Sequence, residues 1–305
     1  MKLLKQYKAY SLGLYVFLIF IHFVIKDRLF PFSIIFYASP LILIILFGYF
    51  ILYFFRKPKI KAIPILLLQF ALCYHWFNNY YFTQIPKTPP QTNSILFWNV
   101  AKKKQLPIPT IIDYTKNSKC NIIALIEASH VKKYDLDNLN INLPNYHIEK
   151  LKGDMLFGVK GTIDSIIYKY VDKCYKFNHI KTTIDNTLTT ILIVDIYASP
   201  FINKKQPLTE VLNYANSHNI DIIVGDFNTP YESVHFTNYT KSYSSFHSYG
   251  NGFSATWPHY IPLLELDQVW ITKSLSPYNL NSYKHEASDH KLLTAKYYKT
   301  KKRTP

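Results

Sequence analysis

With 305 residues and 49% apolar side chains, the chain can bury one large core or two smaller ones, so length is no obstacle to an enzyme. Its formal charge of +16 suggests a nucleic acid or an anionic membrane as partner, but the cations are segregated. Residues 87–295 hold 21 cations against 18 acids, and a net of +3 there does not describe a basic groove tracking a phosphate backbone.

Three apolar stretches come first: "YSLGLYVFLIFIHFVI" (10–25), "FSIIFYASPLILIILFGYFILYFF" (32–55) and "IPILLLQFALCYHWF" (63–77). About 20 residues cross the hydrocarbon core, so three spans are expected, the second with length to spare. A cleavable signal is the alternative for the first stretch, yet no small-residue cleavage site follows it. Lys2, Lys5 and Lys8 precede the first span, and "RKPKIK" (56–61) follows the second. The positive-inside rule then puts the N-terminus and that loop in the cytoplasm, and everything after the third span outside. The expectation is a multi-pass protein of the inner or plasma membrane with its globular part on the extracytoplasmic side. Trp76, Tyr80, Tyr81 and Phe82 suit a membrane interface. "QIPKTPPQTN" (84–93) reads as a stiff, Pro-rich linker, so residues 1–83 form a membrane anchor, 94–298 a globular domain and 299–305 a basic tail.

From residue 94 short β-rich runs alternate with helical or polar segments. Strands are expected at 94–100, 121–128, 155–160, 164–171, 189–198, 221–227, 266–272 and 291–298. Helices are expected at 108–118 and 207–218, the first completing a βαβ unit. Many strands and few helices fit a layered α/β or α+β sandwich better than a barrel of regular repeats. Cys73, Cys120 and Cys174 lack metal-ligand spacing and read as buried free thiols, a Cys120 to Cys174 bridge being the alternative.

Several of these strands end in an acid or an amide: Asn99 after "ILFW", Glu127 after "IIALI", Asp226 and Asn228 after "IIVG". Asp267 opens "LDQVWIT", and "SDH" with Asp289 and His290 opens the last strand. One such residue ordinarily caps its own turn. Together at strand ends, they would suit a hard divalent cation plus an acid/base pair. Oxygen ligands without cysteine favour Mg²⁺ or Mn²⁺ over Zn²⁺, and a cation held that way commonly shares its remaining sites with phosphate oxygens. Phosphoester hydrolysis is the natural inference, and small Gly225 would let neighbours pack close to the Asp226 strand.

The ordered set "FWNV", "ALIEAS", "GDFN", "ATWP" with "LDQVW", and "SDH" resembles the endonuclease/exonuclease/phosphatase superfamily over nearly all of residues 94–298. The N-terminal spans resemble a membrane-anchored bacterial branch of it. The resemblance implies two packed mixed β-sheets flanked by helices, a four-layer sandwich. It also implies that Glu127 holds Mg²⁺ or Mn²⁺, assisted by Asn99 and Asp289. Asp226 would activate the attacking water, Asn228 would hold that carboxylate and the phosphate, and His290 would contact the scissile phosphate with Asp267 fixing its tautomer. Many members carry a catalytic His where this chain has Tyr197. A phenol can donate to a phosphate oxygen, and the alternative reading of Tyr197 is a core aromatic.

The expected function is therefore a membrane-anchored, metal-dependent phosphodiesterase or phosphomonoesterase. Its substrate would be a lipid, a small phosphoester or a nucleic acid, and no protein partner is implied. Nuclease action and a catalytically weak interaction module are the alternatives. A transporter would need ionisable groups within the spans, which carry only His22 and His75 near their ends.

Overall fold

A computed structural model describes residues 2–55, 62–83, 91–102 and 105–300. The "RKPKIK" loop, most of the Pro-rich linker and the end of the basic tail lie outside the described residues. The N-terminal region is helical: α1 (Lys2–Phe20) runs on through a π-helical turn at Ile21–Ile25, followed by α2 (Phe32–Ala38), α3 (Leu41–Phe55) and α4 (Ile63–Tyr80).

Among the described residues, one helix, Gln6–Ile25, is long and apolar enough to cross a membrane. The second apolar stretch is broken: α2 and α3 meet at 78°, and together they would count as a second span. The break falls at Ser39 and Pro40, where the proline ring disfavours helical backbone in the residue before it, and Ser39 is held at φ −124°, ψ 64°. The third stretch forms α4, whose last turns, "HWFNNY", are too polar for it to join them. Its aromatics dock partly on the rest of the chain: Tyr80 is buried and Trp76 packs on Phe253 at 5.1 Å. Strand β1 (Tyr81–Phe82) pairs with β11 (Gly252–Phe253).

Period-two alternation builds the remainder. In β2 (Asn93–Asn99), Ile95 and Phe97 face one way, and Leu96 and Trp98 the other; all four are buried. The first pair meets Ile191 and Ile193 of β8 (Thr187–Ile196) and Ile222 and Val224 of β9 (Ile222–Asp226) in a core between two sheets. The second pair packs on Ile108 and Ile111 of α5 (Ile108–Asn117), in a core that Leu139 of α6 (Lys133–Asn142) joins. On the far side, Leu192, Val194 and Ile223 pack on Leu208, Val211 and Ala215 of α7 (Lys205–Ser217). These three cores define four layers, helix, sheet, sheet, helix, as expected.

One sheet has the order β13 (Leu275–Tyr283), β14 (Leu292–Lys299), β2, β3 (Ile122–Ile126), β5 (Met155–Val159), β4 (His147–Leu151). The other has the order β10 (Tyr243–Ser245), β12 (Asp267–Thr272), β9, β8, β7 (Tyr175–Ile184), β6 (Thr162–Val171). Each sheet holds one parallel pair, β2 with β3 and β8 with β9, whose crossovers are α5 and α7. Both connections bring strands out at their C-terminal ends, where α/β proteins assemble sites. All three cysteines are free. Cys120 packs in the outer core under α5 and Cys174 against the one under α7, so the sandwich itself separates them.

Candidate active site

Asn99 ends β2, Glu127 follows β3, Asp226 ends β9, and Asp267 opens β12 directly opposite Asp226 in the antiparallel register. The two sheets thus deliver amide and carboxylate groups to one edge of the sandwich. The Asn99 Nδ2 donates to Asp226 Oδ2 at 3.0 Å, and the Asn228 backbone N donates to Asp226 Oδ1 at 2.8 Å. Asp226 therefore both caps its own turn and reaches across to the other sheet. Asn228 is anchored by its Nδ2, which donates to the Ile196 carbonyl at 2.8 Å.

His290 sits beside this pair, its Nδ1 2.8 Å from Asp267 Oδ2 and its Nε2 3.8 Å from Asp226 Oδ2. Ser288 locks the segment, donating to the Asn99 carbonyl at 2.6 Å while accepting from the His290 N–H at 3.0 Å. Burial opposes a charge on His290, but the Asp267, Asp226 and Asp289 carboxylates outweigh it and raise the imidazole to about 10. Burial first, and then the Asp267 carboxylate, raise Asp226 well above the usual carboxylate range. The pair is an acid and a base set side by side in one buried network.

Asn99, Glu127, Asp226, Asn228, Asp289 and His290 line a single cavity of about 560 Å³. Six of the eight expected residues thus share one space. Asp267 stands behind His290 and is buried, so it orients rather than faces the cavity. Asp289 is exposed at the rim, where Trp257 Nε1 donates to its Oδ2 at 2.9 Å. Tyr197 is the exception: it lines an adjoining pocket that shares Glu127. At 43% exposure it is not a core aromatic either, because the chain leaves β8 one residue earlier and turns its ring outward.

Two charged residues that the sequence does not single out stand next to the site. Asp195 lies beside Asp226 in the parallel register, paired with Lys176 at 3.2 Å, and burial raises it to about 6. The acid at a strand end in "VDIYASP" was the available signal. Lys204 is buried, its Nζ donating to the Tyr197 carbonyl, and burial lowers it to about 8. Nothing local in the sequence marks it.

The donor set fits a hard divalent cation. Glu127, Asp226 and Asp289 converge on one cavity, where the exposed Lys102 comes within 3.7 Å of Glu127 Oε1 and His290 Nε2 stands 3.8 Å from Asp226 Oδ2. Ligand atoms of Asp226, Asp267 and His290 also lie within 4.8 Å of one another, and Asp267 Oδ1 is buried without a hydrogen-bond partner. The His290 to Asp267 hydrogen bond already occupies that group, whereas the Glu127 side remains open to oxygen-rich coordination.

No protein-family model matches the chain, and no curated protein does. Solved structures do match in fold. An endonuclease/exonuclease/phosphatase family protein from Bacteroides thetaiotaomicron is 12% identical, with 68% of this chain and 98% of that one covered at a TM-score of 0.52. A mannosyl-6-phosphatase from the same organism is 11% identical, with coverage of 68% and 99% and a TM-score of 0.54. A humanized D. rerio TDP2 is 12% identical, with coverage of 68% and 100% and a TM-score of 0.53. At these identities the likeness is one of fold.

Proposed function

We propose that this chain, which has the fold of endonuclease/exonuclease/phosphatase proteins, is a membrane-anchored phosphoester hydrolase dependent on a divalent cation, Mg²⁺ or Mn²⁺. One observation carries the reading: Asp226 and His290 stand side by side, 3.8 Å apart, in a cavity that also holds Glu127, Asn99 and Asp289. Glu127, Asn99 and Asp289 would hold the cation, which when bound neutralises charge on the phosphate. Asp226, fixed by Asn99 and the Asn228 amide, takes a proton from the attacking water. His290, oriented by Asp267, donates from Nε2 to a phosphate oxygen, and the Asn228 side chain holds the turn that presents Asp226. Tyr197 lines the adjoining pocket together with Glu127 and takes no part in this step.

The net charge of the globular part favours a small or lipid phosphoester over an extended nucleic acid. The apolar Gln6–Ile25 helix supports the membrane anchor; with the N-terminus in the cytoplasm, a single span would put the sandwich outside, whereas counting α2 and α3 as a second span would return it to the cytoplasmic side. The test is metal-dependent hydrolysis of a generic phosphodiester by the full chain in detergent. Glu127→Ala and His290→Ala should each lower kcat by about 100-fold or more. Activity surviving both changes would remove this assignment.

A further inference from the structure

The cavity above the catalytic groups has a wall from outside the sandwich. Ile34, Tyr37 and Ala38 of α2 line it together with Asn99, His290, Leu264 and Leu266. This wall is held in place rather than resting there. Asp27, buried in the turn before α2, accepts hydrogen bonds from Ser233 Oγ, from the Val234 N–H at 3.1 Å and from Tyr37 Oη at 3.0 Å. Lys26 Nζ adds a bond to the Glu232 carbonyl at 3.0 Å. Glu232, Ser233 and Val234 belong to the loop that follows Asp226 and Asn228, so one segment carries the catalytic turn and fastens the wall to it.

The chemistry of the wall limits what it can accept. Tyr37 Oη is engaged by Asp27, and Ile34 and Ala38 offer a sugar hydroxyl or a base edge nothing to bond, so a polar substituent of the phosphate there would lose its hydration without return. An apolar group gains by leaving water. The loops that supply Pro200 and Trp257 to the cavity also expose Phe201, Tyr260 and Ile261, each more than two-thirds accessible, as a lipid-facing rim would.

We infer that α2 is part of the substrate site: the wall of Ile34, Tyr37 and Ala38 binds the hydrocarbon tail of an amphiphilic phosphoester whose phosphate lies on the Asp226 and His290 floor. The inference rests on the hydrolase reading of the same site and names its substrate class.

The experiment uses the full chain in one detergent with Mg²⁺ and two probes, ethyl p-nitrophenyl phosphate and octyl p-nitrophenyl phosphate. Water adds to phosphorus, the bond to the nitrophenyl oxygen breaks with its electron pair, and alkyl phosphate, nitrophenolate and a buffered proton result. The readout is the ratio of kcat/KM for octyl over ethyl ester. It should be about tenfold in the native chain and fall toward one in Ile34→Ser and in Ala38→Phe, which strip or block the wall. Ile167→Ser, an equally apolar change on exposed β6, should keep the native ratio and so separates the wall from general loss of apolar surface. Turnover of the ethyl ester with no chain preference, or a preference that both α2 changes leave intact, overturns the tail site alone. Turnover of neither ester overturns the hydrolase reading beneath it.

Discussion

Glu127 and Asn228 leave their strands with positive φ, 54° and 45°. Asn enters that region readily, but a glutamate there costs about 1 to 2 kcal/mol. The surroundings impose it: the Lys102 N–H donates to the Glu127 carbonyl at 3.0 Å, and the next residue's N–H is taken by the Asp154 carbonyl at 2.7 Å. Strain held by hydrogen bonds on both sides is what a fixed ligand position requires. Asp267 makes the complementary point, since it touches the cavity only through His290. Asp267→Asn keeps the size and an acceptor for Nδ1 but removes the charge that holds the imidazole as a cation. We expect kcat for phosphodiester hydrolysis to fall about 10- to 100-fold with KM little changed. Steady-state kinetics with thermal unfolding as the folding control decides it; a loss confined to KM would make Asp267 a binding group instead of a positioning one.

At the scale of elements, β8 and β9 show why the Asp226 strand needs its glycine. Gly225 lies opposite Val194 in the parallel register, and a Cβ there would come within 2.0 Å of the Val194 carbonyl oxygen. The obstacle is backbone in the middle of a sheet, which cannot swing aside as a side chain could. Gly225→Ala should cost about 3 kcal/mol, measured by denaturant unfolding, and a change within the error of that measurement would show that the strands can part. This glycine was legible because it interrupts an apolar run just before an acid. The strand ends were legible for the same reason: Asn99, Glu127, Asp226 and His290 are polar where the pattern demands apolar, and a local conflict is visible in one dimension. Strand β7 was not, because its buried Asn178 and His179 break the alternation, and their partners, Lys152 and Tyr214, are distant in sequence. Strand β13 carries Pro277 and a register shift, features that only an edge position tolerates. The α2 wall was invisible for a further reason: an apolar residue in an apolar helix gives no sign of which surface it will meet.

Across the whole molecule, the helices and the sandwich are joined by polar contacts as well as apolar ones. His247 is one such joint. Its Nε2 lies 2.9 Å from the carbonyl oxygen of Asn79 in α4, its Nδ1 lies 2.7 Å from Glu265 Oε2, and its ring stacks on Tyr231 at 3.8 Å. A neutral imidazole can donate to only one of those oxygens, whereas the cation donates to both. Burial opposes the charge, but the Glu265 carboxylate, followed by Glu232 and the Asn79 carbonyl, raises the imidazole above its ordinary value. The folded chain thus holds this proton more tightly than the unfolded one, whose histidine titrates near about 6.5. The joint's contribution is complete below that pH and fades as pH climbs through the raised folded value. His247→Gln keeps one hydrogen bond and loses the titration, so the gap in Tm between native chain and variant should be widest near pH 6 and narrow steadily toward pH 9. A gap that stays constant over that range would mean that His247 is neutral in the folded chain, and that the helices are held to the sandwich by the Asp27 cluster and the β1 to β11 pairing without it.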